Sequence, residues 1–239
     1  MCFTKNSMNQ KKSCVAILPA AGSSTRMKEY GNKLFTEICG LPVIALSLLA
    51  LEHSDSIDEI IIPTRSDMIC ELENLCKKYS ISKVSAIIEG GASRTDSVLN
   101  GIKKAGNRFD LIAIHDAARP FVSAEIIEKT VSAAKRYNAA APAVAMKDTI
   151  KRAEGSIVTE TVPRETLFAI QTPQVFDSDL IRSALEKAVN ENLSVTDDCS
   201  AVELIGMRVV LTQGDYFNIK ITTPEDLVFA EAIYKNLQK

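Results

Sequence analysis

Along residues 14–137, short apolar runs alternate with stretches in which apolar residues recur every three or four positions. The runs "CVAILPA" (14–20), "IDEIIIPT" (57–64), "KVSAIIEG" (83–90) and "DLIAIHDA" (110–117) are bounded by turn residues and read as strands buried on both faces. Between and after them, "PVIALSLLALEHS", "SDMICELENLCKKYS", "SRTDSVLNGIKKAG" and "SAEIIEKTVSAAKRY" follow Ser, Pro or Asp start signals and read as helices. Such a βαβ series predicts an α/β fold with a mostly parallel sheet covered by helices on both faces. Its ligands are expected at the carboxyl ends of the strands.

The pattern breaks at "DTIKRAEGSIVTETV" (148–162), which predicts two extended stretches around a turn at Glu154-Gly155. A hairpin with so few apolar residues is marginal alone, so it either lies on its own domain or docks as an arm on a second subunit. The α/β pattern then resumes with "SDLIRSALEKAVNE", "MRVVLTQG" and a last helix, "TPEDLVFAEAIYKN". In that helix Pro224, Glu225 and Asp226 suit the first turn. The organisation expected is a loose N-terminal segment, 1–13, and one domain, 14–239, that carries the hairpin.

Composition narrows the possibilities. Balanced charge, 28 basic against 30 acidic residues, disfavours a general nucleic-acid binder, so any anion site must be local. Six cysteines without a CxxC pair, and only two histidines, His53 and His115, argue against a structural zinc site. Cys14, Cys39 and Cys70 sit in apolar runs as small hydrophobes would, which suggests a reducing compartment. No apolar stretch approaches the ~20 residues of a membrane span. A cytoplasmic protein without a membrane partner is the expectation.

Candidate chemistry gathers at three strand ends. After the first strand, the small residues Ala20, Ala21, Gly22 and Ser23 leave backbone N–H groups open to an anion, and Arg26 and Lys33 follow as cations able to reach a polyphosphate. The loop matches neither the GxGxxG fingerprint nor the GxxxxGK[ST] pattern, and an ordinary strand-to-loop turn remains an alternative. "EGGASRTDSV" (89–98) joins a Gly-Gly turn to a helix start, so its backbone and Ser97 could bond a base edge. "LIAIHDAARP" (111–120) ends a strand in His115, Asp116 and Arg119. A carboxylate there can share a Mg²⁺ with substrate phosphates or cap a turn, whereas His115 reads as a hydrogen-bonded structural residue.

Together, "LPAAGSSTRM…NK", "EGGASRTDSV", "IHDAARPFV", "KDTIKR", "TPQVF", "VTDDCSAVE" and "NIKITTPEDL" resemble, in order and spacing, the 2-C-methyl-D-erythritol 4-phosphate cytidylyltransferases over about residues 14–236. The resemblance implies a Rossmann-like nucleotidyltransferase fold and attack of a polyol phosphate on the α-phosphate of CTP. It casts Arg26, Lys33 and Lys220 as catalytic cations, and Ala20, Ala21, Gly22, Gly91, Ala92 and Ser97 as nucleotide contacts. Arg119, Thr149, Arg164 and Thr196 become acceptor contacts, with Asp116 the Mg²⁺ residue. It also implies a homodimer through the arm, with Arg164 on that arm serving the other subunit. The ribitol 5-phosphate cytidylyltransferases share most of these motifs. A third reading is a nucleotide-binding regulatory protein without turnover, against which the joint retention of Arg26, Lys33, Asp116 and Lys220 argues. The chain departs from common family residues at Ser24, Thr25, Asn32 and Phe217.

Overall fold

The computed structural model describes residues 12–22 and 32–238. Strand β1 (Cys14–Ile17) leads through a small hairpin, β2 (Glu37–Ile38) and β3 (Leu41–Pro42), into helix α1 (Val43–Glu52). Then follow β4 (Glu59–Thr64), α2 (Ile69–Lys78), β5 (Val84–Glu89), α3 (Arg94–Ala105), β6 (Leu111–Ile114), α4 (Ala124–Tyr137) and β7 (Ala139–Ala145). A separate hairpin, β8 (Ile150–Glu154) and β9 (Ile157–Val162), precedes β10 (Phe168–Ile170) and β11 (Gln174–Asp177). The chain closes with α5 (Ser178–Asn190), α6 (Asp198–Leu204), β12 (Val210–Gln213) and α7 (Pro224–Leu237).

The main sheet has eight strands in the order β10-β7-β11-β6-β1-β4-β5, with β12 also paired to β7. Pairs β1–β4, β1–β6, β4–β5 and β7–β12 are parallel, as the βαβ pattern predicts. The sheet is nevertheless mixed, because β11 runs antiparallel between β6 and β7, and β10 runs antiparallel beside β7.

Strand periodicity explains why helices cover both faces. Cys14, Ala16 and Leu18 point into one core, filled by residues such as Leu48 of α1, Ile127 of α4 and Ile233 of α7. Val15 and Ile17 point into the other, filled by Val98 of α3, Ile181 of α5 and Val202 of α6. Burying each large aliphatic side chain contributes roughly 1.5–3 kcal/mol against the entropy of folding. Helix starts are capped as the sequence suggests: the Ser93 hydroxyl accepts from Asp96 N–H, and the Ser123 hydroxyl from Ile126 N–H. At α7, the Asp226 carboxylate accepts from the backbone N–H groups of Thr222 and Thr223.

Three expectations need correction. The arm hairpin turns at Gly155-Ser156, one residue later than expected, with Gly155 at φ +58°. Cys39 and Cys70 are exposed rather than core, whereas Cys14, Cys76 and Cys199 are buried. Of the expected loose segment, residues 1–11 lie outside the described residues, and Ser13 is anchored: its N–H donates to Asp110 Oδ2 at 2.8 Å. No helix among the described residues is long and apolar enough to cross a membrane.

Candidate active site

From β1 the sheet grows through β4 to β5, whereas β6 returns to the opposite side of β1. That reversal leaves a crevice beyond the carboxyl ends of β1 and β6, the place where open α/β sheets hold ligands. A cavity of about 370 Å³ lies there. Its walls come from the loop after β1, the turn before α3, the end of β6, and Lys33 and Lys220.

The first wall is fixed by continued pairing. Leu18 N–H donates to Ile61 O and Ala20 N–H to Pro63 O, so β1 stays against β4 until the loop opens at Ala21 and Gly22. The second wall is a turn wound tightly on the start of α3. Gly91 N–H donates to the Ser97 hydroxyl at 3.0 Å, and that hydroxyl donates to Ser93 O at 2.9 Å. A Cβ on Gly91 would overlap the Asp96 side chain, so only glycine fits. The buried Ser97 hydroxyl thus shapes the turn while lining the cavity.

Charge converges on Asp116. Lys220 Nζ lies 2.8 Å from its Oδ2, Arg94 3.5 Å from Oδ1 and Arg119 Nε 3.6 Å from Oδ2. Burial alone would push this carboxyl up, but Lys220, Arg94 and Arg119 outweigh it and hold the group ionised, well below the usual carboxylate range. Arg94 also forms a two-pronged pair with the buried Asp198, at 3.0 and 2.7 Å. The pair ties the start of α3 to the start of α6. Lys33 Nζ donates to Ile221 O at 3.2 Å, which places its ammonium beside the segment that carries Lys220.

Of the residues expected from sequence, Ala20, Ala21, Gly22, Lys33, Gly91, Ala92, Ser97, Asp116 and Lys220 line this one cavity. Arg26 lies outside the described residues. Arg119 does not line the cavity; its guanidinium donates to Asn218 O at 2.7 Å and faces Asp116. Thr149, Arg164 and Thr196 are exposed and do not line the cavity. Arg164 stands in a 3₁₀ turn after β9, at the foot of the hairpin rather than on it, and donates to Lys147 O at 2.7 Å. Sequence reasoning missed Asp198 and the bridging role of Arg94, because the two are 104 residues apart and neither carries a local signal beyond a helix start.

Comparison with known proteins gives a family. The family model for 2-C-methyl-D-erythritol 4-phosphate cytidylyltransferase matches residues 14–236. A protein of that name from Halalkalibacterium halodurans is 47% identical over 217 residues, 91% of this chain and 95% of its own length. One from Clostridium novyi is 45% identical over 230 residues, covering 95% of this chain and 98% of its own. The crystal structure of 4-diphosphocytidyl-2C-methyl-D-erythritol synthase from Anaerococcus prevotii superposes with a TM-score of 0.83 at 33% identity, over 96% of this chain and 100% of that one. With the family model matched over residues 14–236 and relatives of that name 45–47% identical along nearly the whole chain, the chain belongs to the 2-C-methyl-D-erythritol 4-phosphate cytidylyltransferase family.

Proposed function

We propose that this chain transfers the cytidylyl group of CTP to 2-C-methyl-D-erythritol 4-phosphate, giving CDP-methylerythritol and pyrophosphate. Family membership supplies the reaction, and the observation that carries it to named residues is the convergence of Lys33, Lys220, Arg94 and Asp116 on one cavity at the switch point of the sheet. A phosphate oxygen of the acceptor forms a bond to the α-phosphorus of CTP. The bond from that phosphorus to the bridging oxygen breaks, and pyrophosphate leaves with the electron pair. Such a transfer asks the protein for alignment and positive charge rather than covalent work.

Lys33 and Lys220 supply charge at the triphosphate, joined by Arg26. The Gly90-Gly91 turn with Ala92 and Ser97 faces the base, and a site built from fixed donors and acceptors rejects a wrong base by leaving them unpaired. Arg119, Thr149, Arg164 and Thr196 serve the acceptor.

Asp116 would hold Mg²⁺. It offers an ionised oxygen donor at the cavity, and no cluster of three or more His, Cys, Asp or Glu side chains gathers among the described residues. These residues fit a cation that takes its other ligands from phosphates and water, and that would neutralise charge on the triphosphate when bound.

We also propose a homodimer formed through the hairpin. Ile157 and Val158 on β9 are 72% and 57% exposed, and Phe168 and Tyr216 are exposed beyond the hairpin in sequence, which is apolar surface suited to reciprocal burial. For location we propose the cytoplasm, since Cys14, Cys39, Cys70, Cys76 and Cys199 are all free thiols, as a reducing compartment keeps them.

Pyrophosphate release from CTP, with Mg²⁺ and either 2-C-methyl-D-erythritol 4-phosphate or ribitol 5-phosphate, tests the assignment. Turnover is expected with CTP and the methylerythritol acceptor, and poor turnover with ATP, GTP or UTP. Equal rates with ribitol 5-phosphate would move the acceptor assignment to that polyol.

A further inference from the structure

His115 follows β6, is wholly buried, and stands one residue before Asp116. Its ring spans the turn that carries the site residues. Nε2 lies 3.2 Å from Arg119 O, and Nδ1 lies 3.0 Å from Thr172 Oγ1. The Thr172 oxygen in turn accepts the Asp116 N–H at 3.1 Å.

Elementary donor and acceptor chemistry fixes every proton in this chain of bonds. A carbonyl oxygen can only accept, so Nε2 carries the hydrogen. The Thr172 oxygen already accepts one N–H, from Asp116, and within this network the hydroxyl proton finds its acceptor in Nδ1, so Nδ1 is bare. The Thr172 hydroxyl therefore donates to Nδ1, and its lone pair remains for Asp116 N–H. Only one direction satisfies all four groups.

The network extends to the opposite wall. Thr172 O accepts from Asn218 Nδ2 at 3.1 Å, and Asn218 O accepts from Arg119 at 2.7 Å. Two residues after Asn218, Lys220 reaches Asp116. A residue kept only to fill space after β6 would need neither ring nitrogen, yet both are used, one at each end of the Asp116–Arg119 turn.

We infer that His115, in its neutral Nε2–H form, is a positioning residue for cytidylyl transfer: with Thr172 it braces the turn from which Asp116 and Arg119 project. The inference rests on the transfer reaction proposed above, whereas the tautomer belongs to the folded chain alone.

Because the chain has only two histidines, two-bond ¹H–¹⁵N correlation on the ¹⁵N-labelled protein at pH 7 resolves each ring. His115 is expected with hydrogen on Nε2 and a bare Nδ1. An Nδ1–H tautomer or an imidazolium would overturn the brace. In kinetics, Thr172→Val removes the hydroxyl at nearly constant volume and is expected to lower kcat by roughly 10–10²-fold, the scale of a small misplacement of reacting groups. The KM for CTP should move little, while Thr172→Ser should restore kcat. His115→Gln keeps a donor for Arg119 but loses the Nδ1 acceptor, and the double variant should fall no further than Thr172→Val alone. A folded Thr172→Val enzyme with native kcat would refute the positioning role. Should the variants fail to fold, the native tautomer still decides, and since it is read without turnover, failure of the brace is distinguishable from failure of the transfer reaction.

Discussion

Lys33 and His115 illustrate opposite placements of a basic side chain in this molecule, one at the cavity and one wholly buried. Lys33 brings its ammonium to the cavity wall, where it can stabilise negative charge that develops only during transfer. Lys33→Ala is therefore expected to lower kcat by roughly 10²–10³, on the order of 3–4 kcal/mol, with the fold intact. A raised KM at native kcat would instead assign Lys33 to ground-state binding. His115 is held neutral. The unfolded chain takes up its proton near pH 6.5, but the folded chain resists until about pH 4, so protons favour unfolding across that window. This contribution is complete above pH 6.5 and is lost as pH falls towards 4, by about 3 kcal/mol in all. Urea unfolding of the native protein and His115→Gln at pH 7 and pH 5 checks the sign. The native protein should lose more stability between the two, and equal losses would show that the imidazole does not titrate as described.

At the scale of elements, the β8–β9 hairpin stands apart from the main sheet and exposes Ile157 and Val158. If it crosses to a second subunit and carries Arg164 towards that subunit's acceptor, Arg164→Ala and Lys33→Ala chains should complement each other. A mixed dimer would place both lesions in one site and leave the other whole, so up to about half of the heterodimer's sites should regain activity after subunit exchange. No recovery despite verified exchange, or a monomer in sedimentation at micromolar concentration, would exclude the shared site. The βαβ series through α4 was legible because β1, β4, β5 and β6 are bounded by turns and their helices carry recognisable start signals. By contrast, β7 reads "AAAPAVA", too poor in β-branched residues and interrupted by Pro142 to announce a strand. Strand β11 has four residues and α6 seven, too few for a period to repeat. The cavity's loops were legible from their small residues, but the Arg94–Asp198 pair was not, because it exists only once α3 and α6 have packed.

For the whole molecule, the position of β11 has a consequence for how the enzyme comes into being. Strands β5, β4, β1 and β6 are neighbours and are all complete by residue 114, so that half of the sheet can pair while later residues are still being added by the ribosome. The segment 174–177 must then lie against β6, with β7 beyond it, a long-range pairing that is intrinsically slow to find. Lys220 is made later still, so its pair with Asp116 can form only once the chain has reached it. A nascent chain can therefore display the loop after β1 and the turn before α3 without the charge that completes the cavity. The order of synthesis thus sets the order in which the walls of the cavity arrive: those after β1 and before α3 are made long before the lysine that pairs with Asp116.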